Sequence, residues 1–179
     1  MADPSIDLWA IDEVHFQQHG TACRMWVPPE TVDPVLFHAP TRKGVGYFGA
    51  VRLRDGLLLA VREPERFNAV TCHRFLRTVW RVAAPSRRRV VVIADNVSYH
   101  HARLHAAWCA DRAPRFRLDF LPPYSPELNP IERVWKLTRR LACHNRYFPT
   151  LDALVTRVEH QFASWRHGSD ALRRLCAIT

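Results

Sequence analysis

Lysine is nearly missing from this sequence: Lys43 and Lys136 are the only two in 179 residues. The basic charge is carried by arginine, and 26 basic against 17 acidic residues leave a formal net charge of +9. That excess points to a polyanionic partner without identifying it. Arginine forks suit bidentate phosphate contacts, although an arginine-favouring compositional bias accounts for the same numbers. No stretch approaches the roughly 18 consecutive apolar residues of a membrane span, and the start "MADPSIDLWA" lacks the basic-then-apolar order of a signal peptide. Cys23, Cys72, Cys109, Cys143 and Cys176 show no metal-ligand spacing, and their odd number excludes a fully paired disulfide framework. They are expected to be reduced, mostly core thiols of a cytoplasmic protein. Internal repeats and low-complexity segments are also missing. What is present is a 47% hydrophobic chain with six tryptophans, long enough for one domain with a full core.

The pattern of elements alternates. "IDLWAIDEVHFQ" reads as a strand with Leu8, Ala10, Asp12 and Val14 on one face. "TACRMWVPPE" reads as a second strand, stopped by Pro28 and Pro29. Tyr47–Leu53 and Leu57–Val61 predict a hairpin turning at Asp55-Gly56. A helix follows, capped by Asn68, with Val70, Phe75, Val79 and Val82 near helical spacing. Val90 to Ala94 is an unbroken apolar run and predicts a strand buried on both faces. A helix around "ARLHAAWCAD", a short strand "FRLDFL", a helix from Pro130 to about Ala142 and two last helices, near Leu151 to Trp165 and Asp170 to Cys176, complete the chain. The fold class is α/β, one domain with a mixed sheet flanked by helices.

Three carboxylates stand at telling places: Asp12 in the first strand, Asp95 at the end of the buried strand, Glu132 in the first turn of "NPIERVWKLTRRL". Convergent carboxylates repel unless a cation holds them, and oxygen ligands favour Mg²⁺ or Mn²⁺. Each residue also has a plainer role open to it. Asp95-Asn96 suits a turn. Asn129, Pro130 and Glu132 fit a capping box. Alternation sends Asp12 and Glu13 to opposite faces, which leaves one of them as a surface charge. His101 and His105 are spaced i, i+4, and a polar helix face explains them without a metal.

The stretch "FLPPYSPELNPIERVWKLTRR" resembles the last signature block of the DDE transposases of the mariner-like superfamily, in its bacterial insertion-sequence branch. It carries an apolar residue followed by PPYSP, then LNPIE, then a tryptophan three residues after the glutamate. "IADNVSYHHA" is similar to the second block, Asp-Asn followed by His100, and "AIDEVHF" to the first. The resemblance covers nearly the whole chain. It implies an RNase H-like, retroviral-integrase-like catalytic domain spanning 1–179, with Asp12, Asp95 and Glu132 as catalytic and metal-holding residues. It implies two Mg²⁺ or Mn²⁺ ions, water attack on a phosphodiester at an element's end, and attack by the freed 3′ hydroxyl on target DNA. Asn96, His100, Asn129, Lys136, Arg139 and Arg140 are candidates to support the site or contact DNA. Between Asp95 and Glu132 lie 36 residues, close to that branch's interval.

Members of that family carry an N-terminal helix-turn-helix region that reads the terminal repeats. Asp12 stands almost at Met1, so that region is expected to be absent here. The implied partners are transposon-end and target DNA, a second copy of the chain in a homodimer, and a separate helix-turn-helix polypeptide; the implied location is cytoplasmic and nucleoid-associated. The alternatives are an inactive remnant that only binds DNA or a partner, and a host RNase H-like nuclease.

Overall fold

The computed structural model describes residues 3–24, 26–31, 35, 37 and 39–178. Its centre is β1 (Ile6–Gln17), which is covered on both sides. Period-two alternation sends Ala10, Val14 and Phe16 into one core and Trp9 and Ile11 into the other. β2 (Gly44–Arg52) and β3 (Leu57–Glu63) form the expected hairpin. Gly56 turns it at φ +68°, a conformation in which glycine carries no side-chain penalty.

α1 (Ala69–Ala83) begins at Asn68, whose side chain accepts from the backbone N–H groups of Val70 and Thr71. The Thr71 hydroxyl in turn accepts from the N–H of Asn68, which closes a capping box. The buried stripe of α1 is Cys72, Phe75, Leu76, Val79 and Ala83. Val70 and Val82 had been expected on that stripe but are 66% and 39% exposed. The i, i+3, i+4, i+7 row starts at Cys72, and both valines fall beside it.

α1 returns the chain to β4 (Arg89–Ala94), which pairs parallel with β1. α2 (Arg103–Ala110) then leads to β5 (Phe116–Phe120), parallel to β4. The sheet order is β3-β2-β1-β4-β5, a five-stranded mixed sheet. α1 and α2 cover one face, with Trp9, Phe48, Leu76, Val92 and Trp108 in the core between. On the other face lie α3 (Pro130–Thr138), a π-helical turn over Arg139–Cys143, α4 (Leu151–Ala163) and α5 (Asp170–Leu175). Phe16, Trp135, Leu154, Phe162 and Leu172 fill that second core. The single α/β domain read from the sequence is therefore the one observed.

One expected element is missing. Thr21–Glu30 contains no strand among the described residues, and Met25 lies outside them. β1 already has β2 on one side and β4 on the other, so no central edge was open to it. No helix among the described residues is long and apolar enough to cross a membrane.

Gly49 pairs with Asp12 across the β1–β2 ladder. A Cβ at Gly49 would stand 2.1 Å from Cη2 of Trp135, so the indole of α3 lies on the sheet only because that side chain is absent. Gly49→Ala should therefore destabilise the domain by about 1–3 kcal/mol, the usual cost of overpacking. Urea unfolding checks this, and an unchanged midpoint would mean that the indole has room to move.

Candidate active site

Asp12 lies midway along β1 and Asp95 directly after β4, both just past the point where the parallel β1–β4 pairing stops. The last pair of the β1–β4 ladder is Ala10 with Ile93, and each aspartate follows two residues further on. Alternation puts Asp12 on the side covered by α3, and the register continued past the ladder gives the Asp95 position that same side, while its Oδ1 turns to His100. α3 supplies Glu132 from its first turn and Trp135 one turn later. The indole Nε1–H of Trp135 donates to Asp12 Oδ2 at 3.0 Å.

Asn129 fixes where α3 starts. Its side-chain oxygen accepts from the N–H of Ile131 at 3.4 Å, and its amide donates to the carbonyl of Ile11, the residue before Asp12, at 3.0 Å. The reciprocal arm of the expected capping box is not made by Glu132: the N–H of Asn129 donates instead to the carbonyl of Pro126 at 3.0 Å. The Glu132 carboxylate thereby takes no part in the cap. Burial, then the negative charges of Glu13 and of Glu132, push the Asp12 carboxyl up to about 7.

Asp95 is held differently. Its Oδ1 lies 2.9 Å from Nδ1 of His100 and accepts from the N–H of Val97 at 3.4 Å. The His100 bond holds the Asp95 carboxyl below the usual carboxylate range, against the opposing effect of burial. On the other side of the ring, His100 Nε2 lies 3.1 Å from Glu13 Oε1. Burial, the largest single effect on His100, opposes its charge. Its bonds to Asp95, Cys72 and Glu13 together outweigh that and push it up to about 12.

Glu13 thus corrects the sequence reading. It does point away from Asp12, but it is not a surface charge: its side chain is 10% exposed and is paired to His100. Glu13, Cys72 and His100 place ligand atoms within 4.8 Å of one another, a donor set that would suit a soft metal. In this arrangement the His100 ring spends both nitrogens on carboxylates.

The remaining candidates lie around this centre. The Asn96 amide donates to the carbonyl of Leu121, and its oxygen lies 2.9 Å from His101 Nε2, so Asn96 ties the end of β4 to the end of β5. His101 and His105 do not share a helix face. His101 is in a 3-10 turn, while His105 is buried in α2 against the carbonyl of Tyr99. The Arg139 guanidinium sits 5.6 Å from the centre of the Phe16 ring, and Lys136 and Arg140 are exposed. Sequence reasoning missed Gly49 and Glu13 as parts of the site and used Trp135 only as a motif letter. Its spacing of three from Glu132 on one helix was the available signal.

A mixed sheet with Asp12 inside one central strand, Asp95 directly after its parallel neighbour and Glu132 on the covering helix is the arrangement of an RNase H-like domain. The chain belongs to the DDE superfamily endonucleases, whose family model matches residues 7–155. It is 28% identical over 128 residues to the insertion element IS630 uncharacterized 39 kDa protein of Shigella sonnei, covering 67% of this chain and 36% of that protein. The fold is similar to that of the Mos1 mariner paired end complex with Mn, at TM-score 0.69 and 17% identity, over 95% of this chain and 51% of that one. It is also similar to the Mos1 transposase paired-end complex with left transposon end, at TM-score 0.64 and 18% identity, over 95% and 53%. This chain spans about a third to a half of the length of these proteins.

The raised Asp12 pKa has a testable sign. A carboxyl pushed up to about 7 in the fold, from 3.8, favours folding fully at low pH, and that contribution is lost as pH rises through 7. Asp12→Asn, which carries no charge at any pH, should therefore gain stability relative to wild type between about pH 4 and pH 7 in metal-free buffer. Unfolding curves at the two pH values measure the difference, and a constant difference would mean that Asp12 ionises normally.

Proposed function

We propose that this chain is the catalytic domain of an insertion-sequence DNA transposase, with Asp12, Asp95 and Glu132 as its DDE triad. The observation that carries this reading is geometric: Trp135, one turn after Glu132 on α3, donates to Asp12 Oδ2 at 3.0 Å, and the Glu132 charge adds to the burial and the Glu13 charge that raise the Asp12 carboxyl. An acid raised to about 7, with Glu132 as one of the raising charges, is a site that gains from a cation. Asp95 supports the same conclusion. Its Oδ1 is tied to His100 and Val97, while among the described residues its Oδ2 and the Glu132 carboxylate are engaged in no hydrogen bond or ion pair.

All the donors are oxygens, a set that fits a hard divalent ion such as Mg²⁺ or Mn²⁺. The three carboxylates would hold two such ions. When bound, they supply charge that activates a water or a 3′ hydroxyl and stabilises the leaving oxygen at a phosphodiester. The chain's own residues do the placing. Trp135 and Asn129 fix Asp12 against α3, and the β1–β4 register, whose last pair stands two residues before each aspartate, supports a place for Asp95 in the same site. Hydrolysis at an element's end and joining of the freed 3′ end to target DNA both use this one site. Lys136, Arg139 and Arg140, C-terminal to Glu132 on the same helical segment, suit phosphate contacts on the DNA. End recognition by a helix-turn-helix region outside 1–179 or on a separate polypeptide, and a homodimer on DNA, complete the proposal.

A remnant that only binds DNA would need no charge strain at Asp12, and a host nuclease would not account for the PPYSP and LNPIE block. Asp95→Asn keeps shape and removes one ligand charge. It should abolish divalent-dependent nicking of supercoiled DNA, at least about a hundredfold, while non-specific DNA binding stays equal or tightens slightly. Equal nicking by variant and wild type would sink the assignment. Nicking by neither, even with cognate ends and a recognition domain supplied, would favour the remnant.

A further inference from the structure

His100 is 1% exposed and spans two strands, with one nitrogen on the carboxylate of Asp95 and the other on that of Glu13. The three side chains come from β1, the end of β4 and the 3-10 turn Ser98–His101. Glu13 reaches the ring from the α1 face of the sheet, opposite the face that holds Asp12. We propose that His100 is a positioning residue for Asp95: Glu13 anchors the far end of the ring, and the near end fixes Asp95 Oδ1 so that Oδ2 is presented to a bound divalent ion. The inference rests on the reading of Asp95 as a metal-holding carboxylate.

Three observations support it. Asp95 follows directly on β4, and only Val97 adds a second, longer tether at 3.4 Å, so without His100 its side chain would be free to turn. The ring is held from several sides: both nitrogens are engaged, and Tyr99 packs edge-on at 4.8 Å between ring centres. His100 Nδ1 also lies 3.1 Å from the Asp95 carbonyl, so the ring fixes backbone and side chain of the same residue. Outer partners of this kind that orient a ligand typically change metal affinity or activity by about 10–100-fold when removed.

Two substitutions divide the ring's two contacts. The amide nitrogen of an asparagine reaches the place of Nδ1 and can still donate to Asp95. The amide of a glutamine reaches the place of Nε2 and can still donate to Glu13. Both remove the imidazolium, so a merely structural role predicts similar losses of stability and similar metal affinity. Positioning predicts that His100→Gln weakens Mn²⁺ binding by about 10–100-fold while His100→Asn stays within about threefold of wild type.

The measurement is calorimetric titration of DNA-free protein with Mn²⁺, with circular dichroism to confirm the fold. Equal affinities for the two variants, whether both reduced or both unchanged, overturn the inference. Should His100→Gln fail to fold, Glu13→Ala releases the anchored end of the ring instead and should weaken Mn²⁺ by at least about threefold; unchanged affinity there counts equally against it. Asp95→Ala separates the two layers of the argument. Binding that survives Asp95→Ala overturns the metal site itself. Binding that requires Asp95 but ignores both His100 and Glu13 overturns only the positioning role.

Discussion

The indole N–H of Trp135 reaches Asp12 through the space that Gly49 leaves open on β2. That contact joins three levels of the molecule. It docks α3 on the sheet, it puts Glu132 one helical turn from Trp135 and on the same side, and it holds one oxygen of Asp12, the carboxyl pushed up to about 7. A tryptophan that fills the core and also donates from its edge serves packing and chemistry with one side chain. The counterpart for Asp95 is His100, whose two ring nitrogens lie 2.9 Å from Asp95 Oδ1 and 3.1 Å from Glu13 Oε1. Each aspartate is therefore held by a nitrogen donor from a neighbouring element.

The two aspartates are driven in opposite directions. Asp12 is buried beside Glu13 and Glu132 and is pushed up to about 7, while Asp95 is held down by His100. The same fold thus raises one carboxyl and lowers another, the first on β1 and the second directly after β4. Acids driven apart in this way are a mark of a candidate functional site. Here the divergence follows from the surroundings: burial and then the charges of Glu13 and Glu132 at Asp12, and the His100 ring beside Asp95.

Much of this was legible from the sequence because it is local. The buried run Val90–Ala94 announces a central strand, and an aspartate directly after it has to stand at the strand's mouth. The hairpin at Asp55-Gly56 and the cap at Asn68 rest on backbone chemistry that reads one residue at a time. Pairings across long separations were not legible. Glu13 and His100 are 87 residues apart, and alternation could say only that Glu13 leaves the face of Asp12, not what receives it. The cap at Asn129 was ambiguous for a related reason: the pattern Asn-Pro-Ile-Glu satisfies a capping box and a catalytic site alike, and the choice depends on Pro126 taking the N–H of Asn129. Thr21–Glu30 has strand-like composition, but its place beside β1 was already filled by strands from elsewhere in the chain.

The central claim is that Asp12, Asp95 and Glu132 form one cation-binding centre on the α3 side of the sheet. Anomalous diffraction from crystals soaked in Mn²⁺ addresses it most directly. The account predicts density between the carboxylates of Asp12 and Asp95, with Glu132 completing the site and, where two ions bind, a separation of about 3.5–4 Å. Mn²⁺ seated instead on the opposite face at Glu13, or an α3 side with no anomalous signal at saturating metal, would contradict it.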